Sequence, residues 1–227
     1  MTDLSFEGVK AVLFDFEGTL VDHQWNRQGA VQETLKRLQA IGLPITQLHG
    51  KKYSLLKNEA VAVALKAGHP PEEVVREIDN IYDRFDEDAL RRWTLRPQVK
   101  DFLSLLKSFG IQTGLVTNLG RRILVEGLTQ WDLLSLFEIL VSRNDVQQPK
   151  PNGEGIRLAL DRLGVPGGLA RFIGDSLDDI RAAKEAGVSV IIIQGGENTN
   201  EDLLAEGPDA LIQSYGELIA LLKEGRR

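Results

Sequence analysis

The sequence predicts an α/β fold: a parallel β-sheet with helices on both faces, and an all-helical insert after the first strand. Three observations predict it. Short apolar runs that end in polar or acidic residues recur along the chain, as strands covered on both faces do. Between them lie stretches whose apolar residues repeat at three- and four-residue steps, the helical period. One long stretch, from about Gln24 to Arg96, breaks this alternation and holds no convincing strand. Strands alternating with helices imply parallel pairing through crossover connections.

Val9 to Asp15 is the first strand-like run. The insert follows. Val31, Leu35 and Leu38 share one helix face, and Leu55, Leu56, Ala60, Val63 and Ala64 share another. Pro71 opens a third helix, where a missing N–H is harmless, and Glu72 and Glu73 suit the positive end of its dipole. Its apolar face is Val74, Ile78, Ile81 and Phe85, and the acidic stretch from Asp79 to Asp88 reads as solvated surface. Basic and acidic residues balance across the insert. Pro97 restarts the alternation. Val99, Phe102, Leu103, Leu106 and Phe109 form a helix face that Gly110 stops. Ile111 to Thr117 and Leu136 to Val141 are the next strands. Ile156, Leu160 and Leu163 mark a helix that Gly164 ends. Ala170 to Gly174, Val188 to Ile193 and Ala210 to Ile212 complete the sheet, and Leu218, Leu221 and Leu222 mark a last helix. Residues 1–20 and 97–227 thus form a Rossmann-like core, and residues 21–96 the helical insert. Gly-Gly at 167–168 and 195–196 reads as loop.

Composition excludes several kinds of function. The net charge of −6 lacks the basic stripe of a nucleic-acid binder. The absence of cysteine removes disulfides, thiolate zinc, iron–sulfur clusters and a cysteine nucleophile. No run reaches the roughly 20 apolar residues that cross a bilayer. The first ten residues carry Asp3 and Glu7 and do not read as a signal peptide, so a cytoplasmic location is expected. His23, His49 and His69 have no ligand spacing.

Four polar segments fall beyond strand ends, where ligands of parallel sheets gather. The first is Asp15-Phe16-Glu17-Gly18-Thr19-Leu20, whose Asp15 could be a metal ligand, a nucleophile or a turn residue. The second is Thr117-Asn118, an anion-holding hydroxyl and backbone or a cap. The third is Gln148-Pro149-Lys150-Pro151, in which two prolines restrict the backbone around one ammonium; taken alone, its plainer reading is a solvated loop lysine. The fourth is Gly174-Asp175-Ser176-Leu177-Asp178-Asp179. Carboxylates this dense repel one another unless a cation intervenes, and hard oxygen ligands suit Mg²⁺. Asp178 fits an acidic helix start, whereas Asp175 at the strand end fits a metal ligand better.

These four segments, in this order, resemble the haloacid dehalogenase (HAD) superfamily, over nearly the whole chain. The insert resembles a C1-type cap, and the whole is most similar to the phosphoglycolate phosphatase-like and phosphomutase-like branch. The resemblance implies a Mg²⁺-dependent hydrolysis of a small phosphate monoester, by a monomer or homodimer. It implies Asp15 as the nucleophile that becomes an aspartyl-phosphate. It implies Thr117 and the Asn118 backbone as holders of the phosphoryl oxygens, and Lys150 as the neutralising charge. Asp15, the backbone carbonyl of Glu17 and Asp175 would ligate Mg²⁺, with Asp179 in support. Family phosphatases usually carry Asp at position 17 as acid and base; here Glu17 keeps the carboxylate on a stem longer by one methylene.

General acid–base catalysis contributes about 10²–10⁴-fold and depends on geometry. A normal phosphatase, a slow one with a lingering intermediate, and a phosphate-binding or regulatory protein with little turnover all follow from that exchange, and the first two are favoured. A dehalogenase is disfavoured by Asp175 with Asp179, and a dinucleotide enzyme by the lack of a glycine-rich motif after the first strand. In this cap type specificity comes from the insert, with Trp25, Arg27, His49, Lys51, Lys52 and Lys57 as candidates, against the plainer reading of a solvated face. Trp93 and Trp131 read as packing residues, and Arg121 and Arg122 as either phosphate-rim or solvated groups.

Overall fold

The computed structural model describes residues 5–48 and 52–224. Six strands form one sheet: β1 (Ala11–Phe14), β2 (Gln112–Val116), β3 (Ile139–Val141), β4 (Ala170–Gly174), β5 (Ser189–Ile193) and β6 (Ala210–Ile212). Their order is β3-β2-β1-β4-β5-β6, and every neighbouring pair is parallel. Each strand lies within the run that the sequence predicts. Asp15 and Thr117 lie one residue past β1 and β2, each giving a last amide hydrogen bond to the neighbouring strand. Leu134–Leu136 instead forms a 3₁₀ turn ahead of β3.

Helices cover both faces because successive strand residues point to opposite sides. Ala11 and Leu13 of β1 join an apolar cluster with Ile156 and Ala159 of α6 (Glu154–Leu163) and Ile180 and Ala183 of α7 (Leu177–Glu185). Phe14 points the other way. Its ring meets Phe102 of α4 (Val99–Ser108) edge-on at 6.2 Å, and Phe102 lies 5.6 Å from Tyr215 of α9 (Tyr215–Glu224). Burying side chains of this size stabilises by about 1.5–3 kcal/mol each. The remaining core helices are α5 (Arg121–Gln130) and α8 (Asn200–Glu206). The strand order reverses between β1 and β4, and ligands of such sheets gather beyond the carboxyl ends of the strands at that point.

The chain divides into two compact units: residues up to Gln24 together with those from Trp93 on, and Trp25–Arg92. In the first, the two passages that lead out and back are paired. Val21 bridges Leu95, the Asp22 amide donates to the Thr94 carbonyl at 3.0 Å, and the Thr94 amide donates to the Asp22 carboxylate at 2.6 Å.

The second unit holds α1 (Arg27–Ala40), α2 (Tyr53–Ala67) and α3 (Pro71–Leu90) around Leu38, Leu56, Ala60, Ile78 and Tyr82. Gly68 ends α2 with φ 74°, the left-handed conformation that glycine adopts freely. The acidic stretch of α3 corrects one expectation. Asp86 is buried and accepts the Trp25 indole N–H at 2.8 Å, because it stands one and two turns along from Tyr82 and Ile78 on the inward face. Glu87 and Asp88 do lie on the surface, paired with Arg91 and Arg92.

Close packing fixes Gly114 of β2. A Cβ there would lie 2.5 Å from Leu13 Cδ2 and 2.7 Å from Ile139 Cγ2. Overpacking of this kind costs about 1–3 kcal/mol. Gly114→Val should lower the unfolding free energy by that amount, read as a lower urea midpoint; an unchanged midpoint would mean that the sheet gives way there.

Candidate active site

Asp15 and Asp175 are the first residues past β1 and β4, on either side of the strand-order reversal. The Asp15 amide donates to the Ile173 carbonyl at 2.9 Å, which ties the two strand ends together. Beyond Asp15 the chain folds back: the amide of Leu20 reaches the Phe16 carbonyl at 2.8 Å, with Gly18 at φ 76°. Beyond Asp175, Ser176 caps α7 and Asp179 completes a capping box. Asp179 Oδ2 accepts from the amides of Asp175 and Ser176 at 3.1 and 3.0 Å and from the Ser176 hydroxyl at 2.7 Å. A local helix-start motif thus turns the other oxygen, Oδ1, toward Lys150.

Lys150 Nζ lies 2.7 Å from Asp15 Oδ1 and 2.6 Å from Asp179 Oδ1. Lys150 is 5% exposed and Asp179 0%. Its backbone is held as firmly as its ammonium. The Lys150 amide donates to Asn118 Oδ1 at 3.0 Å, and Asn118 Nδ2 donates to the Lys150 carbonyl at 2.9 Å. The side chain of Asn118 therefore clips the lysine loop to the end of β2.

Burial sets the electrostatics. It pushes the Asp15 carboxyl up to about 6, with Lys150 pulling down and Asp179 pushing up. It pushes Asp175 well above the usual carboxylate range, reinforced by the charges of Asp179 and Asp15. Burial alone would lower the Lys150 ammonium, but Asp15 and Asp179 outweigh it and the net shift is upward. Ionised, three carboxylates beside one ammonium carry a formal charge of −2. Oxygen atoms of Asp15, Asp175 and Asp179 all lie within 4.8 Å of one another, the one such group of three or more possible metal-ligating side chains among the described residues. Hard oxygen donors with this residual charge fit a divalent cation.

Glycines let the backbone close on Asp175. A Cβ at Gly196 would lie 1.8 Å from Asp175 Oδ2, and one at Gly18 2.3 Å from it. Asp175 Oδ1 accepts from the Thr19 hydroxyl at 3.3 Å, and Oδ2 from the Glu197 amide at 3.2 Å. Gly196, read from sequence as part of a plain loop, thus closes on the site; its place beyond β5 was the signal available. Thr117 is buried, and its amide donates to the Val141 carbonyl at 2.9 Å. The Arg143 guanidinium, also buried, donates to the Asn118 carbonyl at 3.0 Å. Nothing in the sequence around Arg143 marked it.

Glu17 is half-buried. Its Oε1 accepts the Trp93 indole N–H at 2.8 Å and the Gln24 amide at 3.0 Å. Trp93 does pack, as the sequence suggests, but it also donates to this carboxylate. Trp131 packs near Phe16, with ring centres 6.4 Å apart. Arg121 is engaged by Asp145 at 3.1 Å, and Arg122 lies 3.5 Å from Glu126 one turn on. In the helical unit, Trp25 packs on Tyr82 and Phe85, and Lys57 Nζ lies 5.4 Å from the Tyr53 ring centre. Arg27 and Lys52 are partly buried there, Lys52 at the start of α2. His49 and Lys51 lie outside the described residues.

Removing one member of a buried ion cluster leaves uncompensated charge, at a cost of about 3–5 kcal/mol. Lys150→Met should lower stability by that much in urea unfolding without divalent cations. An unchanged midpoint would show that the cluster does not depend on the ammonium.

The family model described as haloacid dehalogenase-like hydrolase matches residues 12–193. Phosphoglycolate phosphatases of Shigella boydii and Escherichia coli are each 30% identical over 236 aligned residues, covering 96% of this chain and 94% of theirs. The crystal structure of CbbY from Rhodobacter sphaeroides in complex with phosphate is similar at a TM-score of 0.64, with 26% identity and coverage of 95% of this chain and 99% of that one. An aspartate-to-asparagine mutant of CbbY in complex with xylulose-(1,5)bisphosphate gives 0.61, also at 26% identity, over 92% and 96% of the two chains. With carboxylates and a lysine gathered at the strand ends and a match across most of its length, the chain belongs to the haloacid dehalogenase-like hydrolase family, as an enzyme of its phosphatase type.

Proposed function

We propose that the protein hydrolyses a small phosphate monoester through an aspartyl-phosphate on Asp15, with Mg²⁺ as cofactor. The observation that carries this reading is the Lys150 ammonium between Asp15 and Asp179, inside a carboxylate cluster at the strand-order reversal. Phosphoryl transfer needs positioning and charge stabilisation above all, and this cluster supplies both.

A carboxylate oxygen of Asp15 attacks phosphorus, and the bond from phosphorus to the ester oxygen breaks. Glu17 gives its proton to the departing alkoxide. Glu17 then takes a proton from water as the water oxygen attacks phosphorus, which frees Asp15 and releases inorganic phosphate. Lys150 reduces the repulsion between the Asp15 carboxylate and the phosphoryl oxygens. The Thr117 hydroxyl and the Asn118 backbone amide donate to those oxygens, and the Asn118 side chain keeps Lys150 in register. Asp15, the Glu17 carbonyl and Asp175 would hold Mg²⁺, which supplies charge neutralisation of the phosphoryl group. Asp179 would support that site, since both of its oxygens already accept hydrogen bonds. The helical unit, Trp25–Arg92, would serve as the C1-type cap from which substrate selectivity comes.

The glutamate at position 17 favours one second reading, a protein that binds phosphorylated ligands with little turnover. The two readings separate on p-nitrophenyl phosphate, phosphoglycolate, sugar phosphates and nucleotides, assayed with and without Mg²⁺. Phosphoglycolate comes first because of the relatives that bear its name. Metal-dependent phosphate release is expected, and Asp15→Asn should abolish it. Release that persists in Asp15→Asn would remove the nucleophile assignment, and no release above background would favour the binding reading. Mg²⁺ should raise the melting temperature of the wild-type protein and lose that effect in Asp175→Asn. Equal shifts in both proteins would place the cation elsewhere.

A further inference from the structure

A glutamate has one more rotatable side-chain bond than an aspartate, so its carboxylate sweeps a wider volume unless something holds it. Among the groups that hold Glu17 are two N–H donors to the same oxygen: Trp93 Nε1 at 2.8 Å and the Gln24 amide at 3.0 Å from Oε1. Hydrogen bonds to an ionised carboxylate are roughly twice as strong as neutral ones. The indole donor is itself fixed. Trp93 is 4% exposed, and its ring stands edge-on to Phe16 with centres 5.2 Å apart. Phe16 is the residue between Asp15 and Glu17. The next residue, Thr94, is bonded to Asp22 in both directions, and Leu95 bridges Val21. The indole N–H therefore projects from an anchored strip of backbone onto the residue where the chain departs from the family's usual aspartate.

Resting on the reading of Glu17 as acid and base, we propose that Trp93 is the positioning residue for Glu17. Its N–H, with the Gln24 amide, takes up the extra length of the glutamate and fixes the carboxylate in one place. Trp93 acts through Glu17 and contributes nothing to substrate affinity.

Trp93→Phe keeps a ring against Phe16 and removes only the donor. It should lower kcat by about tenfold or more, a share of the 10²–10⁴-fold that acid–base catalysis contributes, and leave KM unchanged. In a Glu17→Asp background the carboxylate ends one methylene sooner, and adding Trp93→Phe should then leave kcat within about twofold, as uncoupled residues do. Equal losses in the two backgrounds would make Trp93 a packing residue and overturn the proposal.

A second measurement needs no turnover and no change at Trp93. In the full-length protein, Glu17→Ala should move the indole N–H resonance of Trp93 and leave that of Trp25 in place. An unmoved Trp93 resonance would overturn the proposal whatever the activity. A wild-type enzyme without turnover whose indole resonance still moves would overturn the hydrolysis reading, while the hold of Trp93 on Glu17 stands.

Discussion

The Lys150 ammonium sits 2.7 Å from Asp15 and 2.6 Å from Asp179, with all three groups nearly out of solvent. Two carboxylates so close together, with Asp175 a third, repel strongly where water cannot screen them. One lysine cannot cancel three negative charges; when all are ionised it leaves a formal −2, which one divalent cation would neutralise. The ammonium must therefore be placed with care, and its loop is bound through both backbone polar groups to Asn118. A buried ion cluster adds little stability by itself, since desolvation opposes the attraction.

Sheet topology makes the cluster reachable from four separate parts of the chain. Parallel strands deliver their carboxyl ends to one edge, and the reversal between β1 and β4 sets Asp15 and Asp175 side by side. The close approach then depends on small residues: Gly18 and Gly196 leave the Asp175 carboxylate the space a Cβ would fill, and Gly174 does the same for Asp179. Any side chain at these positions would displace a charged group, not merely crowd an apolar one.

The strands, the helical faces and the glycine stops were legible because each is a local pattern in period or punctuation. Asp15 and Asp175 were legible because strand ends in an α/β fold advertise where chemistry gathers, whereas Lys150, on its own a loop lysine, and Asp179 drew their roles from the family resemblance. What escaped was tertiary in origin. The clip of Asn118 on Lys150, the buried Arg143 and the approach of Gly196 to Asp175 join residues far apart in sequence, and no spacing records them. Trp93 looked like any buried aromatic because its N–H partner lies 76 residues away. Asp86 was misread because an acidic run looks solvated until its helical phase is weighed against its charge.

The pairing of Val21 and Asp22 with Leu95 and Thr94 makes the helical unit a closed excursion, tied at its neck. The entropy of closing a loop rises slowly with its length, by about 0.6 kcal/mol per doubling. A segment fastened in this way can be lengthened, shortened or exchanged during descent at little thermodynamic expense to the sheet. Changes within that excursion can then leave the charged groups at the strand tips undisturbed.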